Sequence, residues 1–157
     1  QIIGDKIVPL AGELRSSDVN IGGTTWKPEI PDMIRISDEV HNIMNQDTSI
    51  TEKAITLMLF LMRSQIFYDG NKRVAQLAAN QVMIQNGKGI ISIPVEHQEQ
   101  FFVMLVKYYE TNQMDEIKQF VYESSVSGIN FQKKMDAKPV SKEEFYRKKV
   151  KPISPKL

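Results

Sequence analysis

The sequence predicts an all-α domain: a helical bundle with a small β-hairpin and one short extended segment. Three observations lead there. Apolar residues recur at helical spacing in five separate stretches. One of these, Ile55 to Met62, is apolar on every side and follows a Ser49-Ile50-Thr51-Glu52 capping box, and such a helix belongs at the centre of a bundle. Strand-like patterning is confined to two short pieces, Val19 to Trp26 and Ile90 to Ile93.

Taken in order, residues 1–31 read as irregular chain with the hairpin at 19–26, where Gly22-Gly23 supplies the turn. Pro28 and Pro31 postpone the first helix to about Asp32, a suitable cap for a run to Met44 with apolar residues at 33, 36, 40, 43 and 44. The capped apolar helix runs to about Ser64. A third starts near Lys72 and ends at Gln85, where Asn86-Gly87 forms a C-cap; Val74, Leu77, Ala78, Val82 and Met83 are its expected core face. Ile90 to Ile93 is the extended segment, closed by Pro94. Glu96 to Glu110 follows, with Phe101, Phe102, Leu105, Val106 and Tyr109 inward, then a short helix from Asp115 to Glu123.

At 157 residues the chain suits one domain, assigned to 1–132, followed by a basic tail over 133–157. The net charge of +1 is unevenly spread: residues 1–132 carry 11 Lys+Arg against 16 Asp+Glu, and 133–157 carry 9 against 3. A tail of that sign can touch an acidic partner or pack on its own acidic body; the overall balance is too mild for a nucleic-acid-binding protein. With no Cys, disulfides, thiolate metal sites and Cys nucleophiles are excluded. The longest apolar run, eight residues, is too short to span a membrane. No basic-then-apolar leader opens the chain, so a cytoplasmic location is expected, and a secreted effector would read the same.

The segment Gln65-Ile66-Phe67-Tyr68-Asp69-Gly70-Asn71-Lys72-Arg73 carries the chemistry. A helix N-terminus presents unpaired N–H groups and partial positive charge, a ready anion site. Gly70 allows a sharp turn and close approach to a phosphate. Arg73, one turn in, can fork onto phosphate oxygens, and Lys72 adds a point charge. Asp69 suits Mg²⁺, which takes one carboxylate and shares phosphate oxygens. The plain alternative is an Asp-Gly-Asn turn followed by two exposed cations. Against it stands the loop's position, joining a buried helix to an amphipathic one.

The segment resembles the signature of the Fic/Doc (Fido) family: His, any residue, Phe, any residue, Asp or Glu, Gly, Asn, Gly or Lys, Arg. Gly12-Glu13-Leu14-Arg15 ahead of Val19 to Trp26 is similar to the family's Gly-X-Tyr/Phe-Arg and flap region. The order of elements over about residues 10–123 fits as well. Asn71-Lys72-Arg73 is closer to the Doc branch, and Gly70 is Fic-like. The resemblance implies a Fic-like bundle that moves AMP from ATP to a protein Ser, Thr or Tyr hydroxyl, or a phosphate in the Doc branch. It implies Mg²⁺ on Asp69, nucleotide phosphates on Gly70, Asn71, Lys72 and Arg73, and a target protein added as a strand along Asn20, Ile21, Gly22, Gly23 and Thr24.

Two departures bear on activity. Gln65 stands where the family's base is His, and a carboxamide does not titrate near neutral pH; positioned bases contribute about 10²–10⁴-fold. Gln76, at the end of the motif 65–76 and grouped with the nucleotide-binding residues, stands where the family often has a second Arg that meets the terminal phosphate. His41 and His97 read as surface or capping residues rather than replacement bases. The family's self-inhibitory Ser/Thr-X-X-X-Glu-Gly/Asn motif does not occur, so inhibition would fall to a partner protein, as in toxin–antitoxin pairs, or to a segment outside this chain. Three functions follow: a weak or inactive protein adenylyltransferase-type domain, an inactive nucleotide- or peptide-binding regulator, and a helical interaction module that uses its basic tail.

Overall fold

The computed structural model of the chain describes residues 12–128; the basic tail assigned to 133–157 lies outside the described residues. Five helices and one two-stranded ladder make up the fold: α1 (Met33–Asn45), α2 (Ile50–Ser64), α3 (Asn71–Gln85), β1 (Ile90–Ile91), α4 (Gln98–Thr111), α5 (Asp115–Ser125) and β2 (Val126–Ser127). A 3₁₀ turn, Val95–His97, leads into α4. This is the helical bundle expected. Among the described residues no helix is long and apolar enough to cross a membrane.

The helix boundaries follow from their caps. Asp32 Oδ1 accepts the Ile34 N–H at 2.8 Å and the Arg35 N–H at 3.2 Å, starting α1. Ser49 Oγ accepts the Glu52 N–H at 3.1 Å, one half of the capping box. The Glu52 carboxylate instead takes Lys118 Nζ at 2.9 Å, linking the start of α2 to α5. At the end of α3, Gly87 adopts φ +63°, its N–H donates to Ile84 O and that of Lys88 to Met83 O. That paired arrangement satisfies the orphan carbonyls of the last turn.

α2 is the central element. Ala54, Ile55, Leu57, Met58, Leu59, Leu61 and Met62 are all buried, as an all-round apolar helix demands. The face of α3 that meets it is in part the one expected: Met83 is buried and Ala78 and Val82 pack on the core, but Val74 and Leu77 do not. Asn71, Ala75, Ala79 and Met83 are buried, whereas Leu77 is 70% exposed and Val74 points outward. Small side chains let the α3 backbone come close to the bulky α2, so Ala75 and Ala79 occupy the seam that residue size alone would assign to Val and Leu. α4 shows a similar shift: Phe101, Leu105, Tyr108 and Tyr109 are buried, and Phe102 is exposed beneath Lys72, whose Nζ lies 5.7 Å from its ring centroid.

The small sheet also lies elsewhere than expected. Residues 19–26 turn at Gly22-Gly23 without forming a ladder. Thr24 Oγ1 donates to Glu110 at 2.6 Å and accepts the Trp26 N–H at 3.0 Å, and Ile21 and Trp26 pack on the core. Side-chain anchors on α4 therefore fix the flap where strand pairing was expected. The ladder is β1 with β2, antiparallel, pairing Ile90 with Ser127 and Ile91 with Val126. Asn80 holds β1 from the other side, accepting the Ile91 N–H at 2.6 Å and donating to its carbonyl at 2.9 Å. Gly89, at φ +87°, passes so close to Ser127 that an added Cβ would sit 2.0 Å from its carbonyl oxygen.

The seam assignment has a direct test. Ala79→Leu is expected to lower stability by about 1–3 kcal/mol through overpacking, while Leu77→Gln stays within about 0.5 kcal/mol, both read by urea unfolding. The reverse ranking would mean that α3 is rotated away from this face.

Candidate functional site

The motif loop begins where α2 ends. Gln65 closes that helix in the left-handed region, φ 46°, ψ 54°, a conformation costing about 1–2 kcal/mol for a residue with a Cβ. Arg15 holds it there. The Arg15 Nε–H donates to the Gln65 carbonyl at 2.6 Å, and the Arg15 backbone N–H donates to the Ile66 carbonyl at 3.0 Å. A cation against the last carbonyls of a helix also complements its dipole. The same guanidinium reaches the carbonyls of Ser17 at 2.9 Å, Pro28 at 3.3 Å, and Glu29. Arg15 is 1% exposed; desolvation pulls its pKa below the usual arginine value, opposed by the nearby Asp18.

The Gln65 side chain is buried and occupied at both ends. Its Nε2 donates to Met62 O at 2.6 Å and to Tyr109 Oη at 3.3 Å, and its Oε1 accepts from Asn71 Nδ2 at 3.1 Å. Asn71 in turn closes the loop on itself: Oδ1 accepts the Phe67 N–H at 2.8 Å, and Nδ2 donates to the Phe67 carbonyl at 2.7 Å. Asn71 is thus committed to the loop's internal bonding, with Phe67 packed against the core. Burial pushes the Tyr109 phenol upward, so it stays protonated.

The outer side of the loop is polar and open. Gly70 caps α3 at φ 81°, and no side chain caps the first turn. Asp69 Oδ1 accepts the Gly70 N–H at 2.6 Å, and Oδ2 lies 3.4 Å from Arg73, with both side chains exposed. Lys72 is exposed over Phe102. The structure therefore brings Asp69, Gly70, Lys72 and Arg73 together at the start of α3. Gln76 faces β1, donating to the Ile91 carbonyl at 3.2 Å, and works there as a strand anchor. Flap residues Asn20 to Thr24 lie against α4 through Thr24–Glu110 and the Gly23–Val106 approach. His41 Nδ1–H donates to Ser37 O, and His97 meets the Phe120 ring edge-on.

A family model described as the Fic/DOC family matches residues 1–83, more than half of the chain. The chain belongs to the Fic/DOC family. No curated protein matches it. Fic/DOC domains generally transfer a nucleotide or a phosphate to proteins. The match ends inside α3, so it takes in the Arg15 segment, the flap and the whole motif loop. Among the described residues no three His, Cys, Asp or Glu side chains gather as a metal site. The loop 65–73 offers one carboxylate, Asp69, and an Mg²⁺ shared with phosphates and waters needs few protein ligands.

Sequence reasoning passed over the residues that brace this Fic/DOC loop. The buried role of Arg15 left no local signal, since its partners are backbone carbonyls 2 to 50 positions away. Tyr109 was legible as core and not as a partner of Gln65. Tyr68 was silent as well: its hydroxyl meets the Ser16 N–H at 3.0 Å and the Ser16 and Ser17 hydroxyls at 3.3 and 3.2 Å. These bonds, the Ser16 hydroxyl first, hold the phenol at about 8, below its usual 10.0. A lowered pKa means the clamp gains strength as the phenolate forms. Its added stability is full above the unfolded value near 10 and is lost as pH falls through about 8.

An ultraviolet difference titration of the wild type against Tyr68→Phe is expected to show a phenol with midpoint near pH 8. In a Ser16→Ala/Ser17→Ala variant the midpoint moves upward. A wild-type midpoint at about 10, the free-tyrosine value, would show that the clamp is not formed.

Proposed function

We propose that this chain is a nucleotide-binding Fic/DOC domain of the protein adenylyltransferase type in which transfer is weak or absent. The observation that carries this reading is the Gln65 carboxamide, buried and bonded at both ends to Met62, Tyr109 and Asn71. A group so held has no proton to exchange near neutral pH and no free atom to turn toward an attacking hydroxyl. The base that would take that proton is lacking, and its loss costs about 10²–10⁴-fold in rate.

Binding, in contrast, has what it requires. The uncapped start of α3 offers N–H donors and dipole charge, and Lys72 and Arg73 stand exposed beside it. Asp69 would hold Mg²⁺ together with the nucleotide's phosphates, where the ion would neutralise oxygen charge. Gln76, engaged with Ile91, leaves the terminal phosphate without a second cation from α3, so ATP gains little over ADP or AMP. The flap backbone from Asn20 to Thr24 has no ladder partner among the described residues, which suits a target segment added alongside.

The closed bonding of Gln65 equally favours a second reading, an inactive regulator that binds nucleotide or peptide without turnover. Lys72, at the Doc-like position, keeps phosphate transfer as the alternative to AMP transfer if turnover occurs, whereas Gly70 is Fic-like.

Calorimetric titration of ATP, ADP and AMP with Mg²⁺ separates these readings when paired with a Gln65→His variant. The expected result is nucleotide binding by both proteins, ATP no tighter than ADP by more than about tenfold. Labelling of protein from radiolabelled ATP should rise in Gln65→His by about 10² or more. If neither protein binds nucleotide, the phosphate-loop assignment fails. If the variant binds but never labels, the inactive regulator is the better description.

A further inference from the structure

A cleft of about 500 Å³ opens on another part of the molecule, between the extended segment Trp26 to Asp32, α1, and the C-terminal ends of α2 and α4. No residue of 65–76 lines it, so it is separate from the phosphate loop. The sequence explains why the space exists. Pro28 and Pro31 keep the chain extended, and α1 buries only Ile43, near its far end. Ile36, in the first half of α1, packs on the core but is only partly buried, and a wedge stays open beside it. Ile36, Phe60 and Met114 form an apolar floor, each packed against the core.

Arg63 stands over that floor between two rings, its Cζ 4.8 Å from the Trp26 centroid and 5.9 Å from that of Tyr108. The charged groups that line the cleft are unevenly paired. Glu29 pairs with Arg35 at 2.5 Å, and Asp32 is taken up by the N–H groups of α1. Glu39, Lys27 and Arg63 remain without an ion-pair partner among the described residues. Arg63 spends only its Nε–H, on the Tyr109 carbonyl at 3.2 Å. Its two terminal nitrogens have no protein acceptor among the described residues. A guanidinium fixed by one bond and by stacking is a pre-organised fork for a carboxylate. Burial, aided by Glu39, pushes the Tyr108 phenol up to about 12, so no tyrosinate competes for that fork.

We propose that this cleft binds a small amphiphilic carboxylate, its alkyl or aryl body on Ile36, Phe60 and Met114 and its carboxylate on Arg63 with Lys27 at the rim. The volume suits a ligand of that size, and an apolar floor under a cationic edge selects an acid over its uncharged analogue.

Trp26 is the only tryptophan of the chain, so its fluorescence reports on this cleft directly. Titration with 4-phenylbutyrate is expected to change Trp26 emission saturably, and 4-phenylbutanol should bind about tenfold more weakly or worse. Arg63→Gln should weaken the acid by about tenfold, and Arg73→Ala should leave it unchanged. Lys27→Gln, at an exposed position, should weaken it by about two- to threefold with unaltered thermal unfolding; this variant and the acid–alcohol comparison decide the matter if Arg63→Gln does not fold. No saturable change up to about 10 mM, a range in which even millimolar binding would register, would overturn the proposal. So would equal binding of acid and alcohol, or an affinity that follows Arg73 instead of Arg63.

Discussion

Burying the Arg15 guanidinium takes a permanent charge out of water, a cost that only a full set of acceptors can offset. Four backbone carbonyls supply them, from Ser17, Pro28, Glu29 and Gln65. Each lies at a place where the chain would otherwise be loosely fixed. Ser17 precedes the flap, Pro28 and Glu29 follow it, and Gln65 is the corner between α2 and the motif loop. One side chain thus joins the stretch before the flap, the stretch after it and the end of the central helix. The left-handed backbone of Gln65 persists because both its own carbonyl and that of Ile66 are bonded to Arg15.

From that corner the loop divides into an inner and an outer half. The inner half, Gln65, Phe67 and Asn71, is bonded within itself and to Tyr109. The outer half, Asp69, Gly70, Lys72 and Arg73, faces solvent at the start of a helix whose first turn no side chain caps. The split separates positions that keep the loop's shape from positions left facing solvent. It also accounts for Gln65 within the loop: the carboxamide supplies one acceptor to Asn71 and donors to Met62 and Tyr109, a set that the fold uses.

Much of the architecture was legible in the sequence because it rests on local signals. Asp32 and Ser49 as caps, Asn86-Gly87 as a stop and the all-apolar α2 each follow from residues close together in the chain. What was not legible depends on distant partners or on side-chain size. The α3 seam was misassigned because Val74 and Leu77 are more hydrophobic than Ala75 and Ala79, yet close packing on α2 selects the small residues. The flap reads as a hairpin in its alternation, but Thr24 bonds to Glu110, 86 positions away. β2 follows directly on α5 and pairs with β1 through a contact made possible by Gly89. At the site, the gathering of Asp69, Gly70, Lys72 and Arg73 at the start of a helix was legible from residue types, while the commitments of Asn71 to Phe67 and of Gln76 to Ile91 were not. Polar side chains suited to an anion are equally suited to backbone groups nearby, and only the fold decides between them.

The dependence of the motif corner on one buried cation is open to a single equilibrium experiment: urea unfolding of the wild type and Arg15→Met, followed by far-ultraviolet circular dichroism. Removing the guanidinium leaves buried carbonyls without donors, and the account predicts a loss of about 3 kcal/mol or more. A loss below about 0.5 kcal/mol, the range of an ordinary surface substitution, would contradict it and mean that the flap and the motif loop hold their places without Arg15.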